Sequence, residues 1–573
     1  MRALSLLLSL FVALPASALP AAGTAGMVAT AHTDATSAGV EMLRQGGNAV
    51  DAAVASAFAL AVVEPASSGL GGGGFALVRF EEELLFLDFR ETAPAAASRD
   101  MFLKAGEPDP ARSRDGSLAA GVPGAVAGYL ALQERFGKLD RAKVLAPAIR
   151  FAEEGVLVDE RLRRVIGFRL EVLRKDPEAS RIFLVPGAPG EPAQVPPLGH
   201  RLVQRDLAKT LRTLAKEGAD AFYEGSIARL LTEDMKRRGG ILTAKDLADY
   251  RVQEREPLIG SYLGNAVATA PPPSAGGQVV LTTLNVLETL PRHTPWNDPA
   301  ALHLYIETLK RVYADRILFG DPAFVDVPVE ALISKERVPH LLEAIGFRST
   351  PAASIGPGVG TALARLPGEV GPVPEGTDTT HLSTIDGSGN AVSLTSTINF
   401  VFGAGIVARG TGILWNDEMD DFAIAPGVPN VYGVAGSEAN AVAPGKIPLS
   451  SMAPTLVFDG PDVTSPVRLV VGSPGGPRIP TTVIQAIHNH LFHGADVERA
   501  ITLGRVHHQH LPDITFYEPF SLDSATLGLL RLRGHQLRED GPWSNATLIS
   551  VDPETGVRTG AADPRGAGSA MAQ

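Results

Sequence analysis

The chain alternates between long apolar segments with helical spacing and short apolar runs broken by turns. The segment NAVDAAVASAFALAVVEP, which begins at Asn48, is apolar nearly all round and follows Gly46 and Gly47. That pattern predicts a helix buried between two layers. Next come FALVRF at 75–80 and LLFLDFR at 84–90, separated by acidic residues. Short runs of this kind predict two paired strands.

The middle of the chain, from 118 to 345, carries mostly helical patterns with a strand-like piece near Val267. This mixture predicts helices that cover a sheet. The region from Pro351 to Asp378 is instead rich in Gly and Pro and has no periodicity. We expect a long mobile loop there.

The segment after this loop is strongly strand-like. TTHLSTID begins at Thr379, and the turn-forming GSGN and then AVSLTSTI follow it. This order predicts a hairpin of two strands. A loop that ends at the first residue of a core strand is a place where a chain can be cut without unravelling the sheet.

The hairpin suggests a contact between two threonines. If the strands fold back symmetrically about Ser388, Thr397 lies opposite Thr379. Directly opposed residues have Cβ atoms about 4.5 to 5.5 Å apart, close enough for one hydroxyl to bond the other. The loop chemistry leaves other registers open, and a slip of one residue would turn Thr397 to the other face. Two ordinary β-branched strand residues would give the same pattern.

The first residues have the pattern of an export signal. Residues 1–18 consist of a charged start at Arg2, an apolar run and the small residues Ala16, Ser17 and Ala18. This predicts a secretory signal peptide cleaved after Ala18, with an uncleaved anchor as the alternative. Later apolar runs are too short to cross a bilayer. We therefore expect an exported, periplasmic or secreted protein without stable membrane insertion.

Composition narrows the classes of function. The 573 residues are 45% hydrophobic, enough for a large core, and 51 Lys and Arg against 63 Asp and Glu give a net charge of -12. Without a basic tract, nucleic acid is not an expected partner. The chain has no cysteine, which excludes disulfides, Cys-bound metal and thiol catalysis and fits an oxidising compartment.

Motifs along nearly the whole chain resemble those of one enzyme family. The run DTTHLSTIDGSGNAVSLTSTINFVFGAGIV from Asp378 is followed in order by GILWNDEMDDF, PGVPNVYG, PLSSMAPT, GSPGGPRI and GAADPRGAG. Upstream stand GGNAVDAAVA, SSGLGGGGF, DFRETAP, GGILTAKDLADY, PPPSAGG and FGDPAFVDVPV. Together these motifs resemble the gamma-glutamyltranspeptidase family of the N-terminal nucleophile hydrolase superfamily.

The resemblance implies a fold and a maturation step. The family fold is of the α+β class, a four-layer αββα sandwich made as one precursor that cuts itself into two subunits. The matching cleavage site is the bond between Asp378 and Thr379. It divides the chain into a large subunit, 19–378, and a small subunit, 379–573, which would form a heterodimer.

The chemistry explains why such a cut would matter. Threonine is a poor nucleophile unless a base takes its proton. Once Thr379 is a chain terminus, its own α-amino group, with a pKa of about 7.7 to 8.0, can act as that base. In the uncut chain this nitrogen is an amide without basicity.

The resemblance also assigns roles to further residues. Thr379 is the nucleophile, Thr397 hydrogen-bonds its hydroxyl, and the backbone N–H groups of Gly475 and Gly476 form the oxyanion hole. The implied substrate-binding residues are Arg90, Ser450 and Ser451 for the α-carboxylate, Asn399, Glu418 and Asp421 for the α-ammonium, and Tyr432 as the aromatic shutter of a lid. A planar arginine fork suits a carboxylate. Taken alone, Arg90 could equally be an ion-pair partner of Asp88 or Glu91.

Two other motifs point to chemistry that we do not favour. Gly69, Gly71 and Gly74 fit the dinucleotide-binding pattern G-x-G-x-x-G. The surrounding pattern, however, predicts that they connect a helix to a strand instead of a strand to a helix. Six of the 13 histidines fall between His488 and His510. Without H-E-x-x-H spacing, packing histidines are the preferred interpretation. We expect no cofactor and no metal.

The expected function is therefore gamma-glutamyl transfer and glutathione hydrolysis. A gamma-glutamyl ester on Thr379 would pass its acyl group to water or to amino acid and peptide acceptors. The alternatives are a beta-lactam (cephalosporin) acylase of the same superfamily, or an inactive periplasmic binding relative.

Overall fold

The computed structural model describes residues 20–358, 378–425, 427–434 and 436–573. The predicted signal peptide, 1–18, lies outside the described residues, as does most of the predicted loop between Pro351 and Asp378. Those two expectations therefore stay predictions.

Two antiparallel seven-stranded sheets form the centre of the protein. We call the sheet that contains Thr380–Ile385 the nucleophile sheet and the other the outer sheet. In spatial order the strands of the nucleophile sheet are Ser569–Ala572, Met27–Thr30, Thr380–Ile385, Ala391–Thr397, Gly73–Phe80, Glu83–Asp88 and Gln253–Arg255. Those of the outer sheet are Ala21–Gly23, Arg558–Ala562, Thr547–Val551, Val467–Gly472, Thr455–Phe458, Asn265–Thr269 and Leu258–Tyr262.

Helices cover the free face of each sheet. On the nucleophile sheet lie Thr33–Arg44, Ala49–Val63, Ala125–Phe136, Arg141–Glu154, Arg205–Glu217, Asp220–Tyr223, Ser226–Arg237 and Ala244–Asp249. On the outer sheet lie Gly276–Leu287, Pro299–Ala314, Arg478–Leu491, Val497–Thr502 and Ser524–Leu532. The sheets pack directly on each other. This confirms the predicted four-layer αββα sandwich, which buries an apolar face of every layer.

The remaining elements are short. Helices occupy Pro110–Arg114, Glu160–Phe168, Leu170–Lys175, Pro177–Phe183, Val329–Ile333 and Arg337–Ala344. Two-residue and three-residue strands form small ribbons at Leu103–Lys104, Glu107–Pro108, Val156–Leu157, Arg201–Leu202, Val407–Ala408, Ile413–Leu414, Val506–His507, Thr515–Tyr517 and Leu537–Glu539. Single 3₁₀ turns lie at Asp315–Leu318, Ala352–Ser354, Glu418–Asp421 and Glu438–Asn440.

The predicted all-apolar helix is present at Ala49–Val63, and every residue in it is buried. Asn48 starts it through a capping box: its side chain accepts hydrogen bonds from the N–H groups of Val50 and Asp51, and the Asp51 carboxylate accepts from the Asn48 N–H at 3.0 Å. A helix without a polar face fits only between layers. It packs against both strands of the predicted hairpin.

The glycine-rich link after this helix lets the next strand approach closely. It leads from the helix into the strand Gly73–Phe80, so the helix-to-strand order that argued against dinucleotide binding is confirmed. A Cβ on Gly72 would lie 2.0 Å from the carbonyl oxygen of Thr397, and one on Gly74 would lie 2.3 Å from that of Thr395. Only glycine tolerates such contacts. These glycines thus help place the strand that ends at Thr397.

The hairpin has the predicted register. Thr380 pairs with Ser396 and Leu382 pairs with Leu394, which continues to Thr379 opposite Thr397. At the turn, the Asp386 carboxylate accepts hydrogen bonds from the N–H groups of Ser388 and Asn390. This side-chain bonding fixes the turn and hence the register.

The clustered histidines lie among the elements around the outer sheet. His488 Nδ1 is 2.6 Å from the Tyr262 hydroxyl, and His508 Nε2 is 3.3 Å from the Asp513 carboxylate. Within the described ranges, no group of three or more His, Cys, Asp or Glu residues could hold a metal ion. Across the same residues, no helix has the length and hydropathy to cross a membrane.

Candidate active site

One pocket of about 360 Å³ brings together most of the predicted site residues. Ten of them line it: Arg90, Thr379, Thr397, Asn399, Glu418, Asp421, Tyr432, Ser450, Ser451 and Gly476. Asp378 and Gly475 are not part of the lining but adjoin Thr379 and Gly476 in the chain. A concave site in which several charged and polar side chains converge suits a small polar molecule.

Thr379 lies at the open end of the hairpin, one residue before the strand Thr380–Ile385. Its Oγ1 is 3.0 Å from Oγ1 of Thr397, and 5% of the residue is exposed. Its φ is +73°, a value that a β-branched residue adopts only under strain. The nucleophile candidate is therefore buried, hydrogen-bonded and conformationally strained in the uncut chain.

Thr397 is itself held in place. Its Oγ1 accepts a hydrogen bond from the Asn399 N–H at 2.8 Å. Asn399, at φ +68°, donates from its side-chain amide to the carbonyl oxygen of Asp417 at 3.0 Å. Two oxygens lie within reach of the Thr397 hydroxyl proton, Oγ1 of Thr379 at 3.0 Å and the Asn399 carbonyl at 3.5 Å, and the contact with Thr379 is the shorter.

Gly475 and Gly476 connect the strand Val467–Gly472 to the helix Arg478–Leu491 at φ +119° and +55°. A Cβ on Gly475 would lie 2.4 Å from Ser544 Oγ, and one on Gly476 would lie 3.0 Å from the Tyr432 ring. In the part of the chain that the structure describes, no hydrogen bond uses either backbone N–H. Two such donors at a pocket suit an oxyanion.

Arg90 is at the centre of a buried ion cluster. Its Nη1 donates to Glu418, and its Nη2 donates to Asp421 at 3.0 Å. Glu91 is a more distant partner at 3.7 Å, whereas Asp88 binds the Arg90 backbone N–H. Burial opposes the charge of Arg90, but the surrounding carboxylates outweigh it and raise its pKa. Burial raises the pKa of Glu418, and Arg90 counteracts that shift.

The two serines lie beside an arginine that the sequence did not indicate. Ser450 Oγ accepts a hydrogen bond from the Met452 N–H at 3.1 Å. Arg316 Nη1 donates to Ser451 Oγ at 2.7 Å and to the Ser450 carbonyl at 3.3 Å. Arg316 lies three residues before the motif FGDPAFVDVPV, and neither hydrophobic spacing nor a charge pattern marks it as a ligand.

Other lining residues also escaped the sequence analysis. Asn430 donates a hydrogen bond from its side-chain amide to the Asp421 carboxylate at 3.2 Å. It belongs to the motif PGVPNVYG, in which only Tyr432 was expected to take part in the site. In the same segment the Tyr432 hydroxyl donates to the Asn399 carbonyl at 3.0 Å. Val434, Met452, Pro477 and Ile479 complete the pocket.

Asp378 carries a buried carboxyl group next to the candidate cleavage bond. Neither of its carboxyl oxygens has a hydrogen-bond partner among the described residues. Burial raises its pKa to about 6 from 3.8, with Tyr432 opposing the shift. The folded uncut chain therefore binds a proton at Asp378 more tightly than the unfolded chain does. Ionised Asp378 destabilises the fold above about pH 6, and this penalty vanishes below about pH 4.

We expect Asp378→Asn to stabilise the uncut chain at about pH 8 by up to about 3 kcal/mol, because each unit of pKa shift corresponds to about 1.4 kcal/mol. The gain should disappear at about pH 4. Denaturant unfolding of an uncleavable Thr379→Ala chain, with and without the Asn substitution, measures it at both values. An equal effect at the two pH values would contradict the buried ionisable carboxyl.

Comparison with known proteins places these observations in a family. The sequence profile described as Gamma-glutamyltranspeptidase matches residues 35–573. A glutathione hydrolase proenzyme of Escherichia coli (strain K12) is 42% identical over 554 residues, which is 95% of this chain and 91% of that protein. An acylase ACY 1 proenzyme of Pseudomonas sp. (strain SE83) is 36% identical over 564 residues, which is 96% of this chain and 94% of that protein.

Solved structures show the same fold. A cephalosporin acylase from Bacillus halodurans has a TM-score of 0.83 and 27% sequence identity, and the match covers 99% of this chain and 100% of that one. A gamma-glutamyltranspeptidase from Helicobacter pylori has a TM-score of 0.55 and 40% identity and covers 57% of this chain and 94% of that one. Profile, relatives and fold agree with the motifs, and the chain belongs to the gamma-glutamyltranspeptidase family of enzymes.

Proposed function

We propose that this protein is a self-cleaving gamma-glutamyltransferase and glutathione hydrolase whose nucleophile is Thr379. The observation that carries the proposal is the geometry of Thr379, whose hydroxyl lies in the pocket 3.0 Å from that of Thr397. The similarity to the glutathione hydrolase proenzyme supports it. The pocket also offers both charges that a gamma-glutamyl group requires, since it contains arginines and carboxylates.

Self-cleavage comes first in this proposal. Oγ1 of Thr379 attacks the carbonyl carbon of Asp378, the C–N bond breaks, and the nitrogen takes up a proton. Water then hydrolyses the resulting ester, which leaves a carboxylate on Asp378 and a free amine on Thr379. The strain at φ +73° favours this step because the cut frees the dihedral.

Turnover uses the same hydroxyl with the new amine as base. The amine takes the proton from Oγ1 while oxygen attacks the gamma-carbonyl carbon of the substrate. The backbone N–H groups of Gly475 and Gly476 stabilise the oxyanion, an effect of about 2.7 to 4 kcal/mol per donor. The amine leaving group departs with a proton, and water or an acceptor amine then attacks the gamma-glutamyl ester.

Substrate orientation follows from the charges in the pocket. Glu418 and Asp421 offer negative charge for the α-ammonium, together with the side-chain oxygen of Asn399. Arg90, Ser450 and Ser451 offer donors for the α-carboxylate. Arg90 pairs directly with Glu418 and Asp421 in the structure. An incoming zwitterion can exchange with these ion pairs because it brings both charges.

The proposed precursor follows the predicted division. Export would remove residues 1–18, and cleavage before Thr379 would give subunits 19–378 and 379–573 that remain associated. In the nucleophile sheet the hairpin after the cut pairs on both sides with strands from before it, Met27–Thr30 and Gly73–Phe80. The two products therefore hold each other through that sheet. A periplasmic or secreted location fits the absence of cysteine.

The test is a combined analysis of chain integrity and donor use. Purified protein should run as two bands and release glutamate from glutathione. Addition of glycylglycine should divert part of the product to gamma-glutamyl-glycylglycine, which mass spectrometry identifies. A single band without turnover would support a binding relative, and hydrolysis of a cephalosporin side chain without gamma-glutamyl turnover would support an acylase.

A further inference from the structure

The pocket contains a second arginine, Arg316, that forms no ion pair with a carboxylate of the described chain. Arg316 lies in the 3₁₀ turn Asp315–Leu318, which follows the helix Pro299–Ala314. Its hydrogen bonds go to the neutral oxygens of Ser450 and Ser451. Among the described residues no carboxylate lies within 4.0 Å of its guanidinium, and its buried Nε has no partner.

Arg90 and Arg316 line the same pocket but differ in the number of carboxylates around them. Arg90 has Glu418, Asp421 and Glu91 around it, so its charge is more than balanced. Burial lowers the pKa of Arg316, and only the more distant fields of Asp421 and Tyr313 oppose that shift. A buried charge without a partner is costly. An anion in the pocket would offset that cost.

The hydroxyl of Ser451 connects Arg316 to such an anion. Its oxygen accepts from Arg316 Nη1 at 2.7 Å, so its own proton remains available to a further acceptor. The Ser450 hydroxyl likewise accepts from the Met452 N–H and keeps its proton. One guanidinium and two hydroxyl donors thus converge on one side of the pocket, a donor set suited to a carboxylate.

We propose that Arg316 is a specificity-determining residue that binds the α-carboxylate of the gamma-glutamyl donor, together with the hydroxyl of Ser451 that it orients. The proposal rests on the function proposed above. Arg90 then does not carry this recognition alone. Arg316 supplies a positive charge that forms no direct ion pair with Glu418 or Asp421, both of which pair with Arg90.

The experiment compares two donors that differ only in the α-carboxylate: gamma-L-glutamyl-p-nitroanilide and 4-aminobutanoyl-p-nitroanilide. The variants are Arg316→Met, which removes the charge, and Arg316→Lys, which keeps the charge but not the fork. Arg229→Met, on the exposed face of the helix Ser226–Arg237, is the matched control. Competitive inhibition by L-glutamate and by 4-aminobutanoate gives the same comparison without turnover of the second donor.

We expect Arg316→Met to self-cleave and to lose about 10- to 100-fold in kcat/KM for the gamma-glutamyl donor, mainly through KM, as for loss of a charged hydrogen bond. L-Glutamate should inhibit this variant correspondingly less, whereas inhibition by 4-aminobutanoate should change less than about threefold. Arg316→Lys should be intermediate, and Arg229→Met should match the unmodified protein.

Three results would overturn the assignment. Unchanged gamma-glutamyl kinetics in Arg316→Met would show that Arg316 does not bind the donor. Equal losses of kcat/KM for the donor with the α-carboxylate and the donor without it would show that Arg316 has only a structural role. Failure of both Arg316 variants to self-cleave would show the same. If the unmodified protein self-cleaves but ignores gamma-glutamyl donors, the proposed function fails, independently of Arg316.

Discussion

Replacement of Thr379 by Ala should leave one uncut chain and reduce turnover of gamma-glutamyl-p-nitroanilide by about 10⁴-fold or more. Two losses combine in this variant. Without Oγ1 nothing attacks the Asp378 carbonyl, so the α-amine is never released. Even a chain cut by other means would lack the nucleophile that carries the acyl group. Electrophoresis and release of p-nitroaniline measure the two effects separately.

Thr379→Ser is the matched control because it keeps a hydroxyl at the same position. It should still self-cleave and retain activity, although loss of the methyl group gives χ1 more freedom. A Thr379→Ala chain that is cleaved at the same bond and stays active would move the nucleophile elsewhere. A Thr379→Ser chain that stays uncut would show that the hydroxyl alone is insufficient.

Local sequence signals predicted the parts of the site that are close in the chain. Thr379 and Thr397 are 18 residues apart and joined by one turn, so symmetric folding about Ser388 suggested their contact. The structure, through the Asp386 hydrogen bonds of the turn, selects that register from those the sequence left open. The all-apolar helix after Asn48 was likewise visible, because a helix without a polar face has only one environment available to it.

The ion cluster could not be predicted in this way. Arg90 and Glu418 are 328 residues apart, and Arg316 and Ser451 are 135 apart. Their contact depends on how the two sheets stack and on which loops meet at one end, and no periodicity encodes that. Family resemblance supplied Arg90 and Glu418 as opposite ends of a substrate site. It did not supply their direct ion pair, nor Arg316.

Under the proposed substrate-binding roles, the ion pairs of Arg90 compete with the substrate for the same charges. A bound zwitterion would replace the contacts of Arg90 with Glu418 and Asp421, so only the excess over these contacts would appear as affinity. This exchange favours a substrate that brings both an ammonium and a carboxylate. A donor that carries only an ammonium or only a carboxylate would break an ion pair of Arg90 and leave one of its two charged groups without a partner. This cost is a physical basis for discriminating gamma-glutamyl groups from simple acyl groups.

Replacement of Thr397 by Val tests the hydrogen bond that orients the nucleophile. Val keeps the β-branched shape in a strand that is buried throughout, so the fold should be retained. The hydroxyl removed contacts Thr379 Oγ1 at 3.0 Å and accepts from the Asn399 N–H at 2.8 Å. We expect kcat to fall by about 10²- to 10³-fold and self-cleavage to slow, since a positioned proton-transfer partner contributes about 10²- to 10⁴-fold.

Thr397→Ser separates chemistry from packing in this test, because it restores the hydroxyl and removes only a methyl group. It should recover most of kcat and the rate of self-cleavage. Rates of chain cutting after denaturation and refolding, together with steady-state kinetics at about pH 8 where the terminal amine is largely unprotonated, provide the comparison. If Val and Ser variants behave alike, the hydroxyl of Thr397 has no part in activating Thr379, and the contact between the two threonines is a feature of strand packing alone.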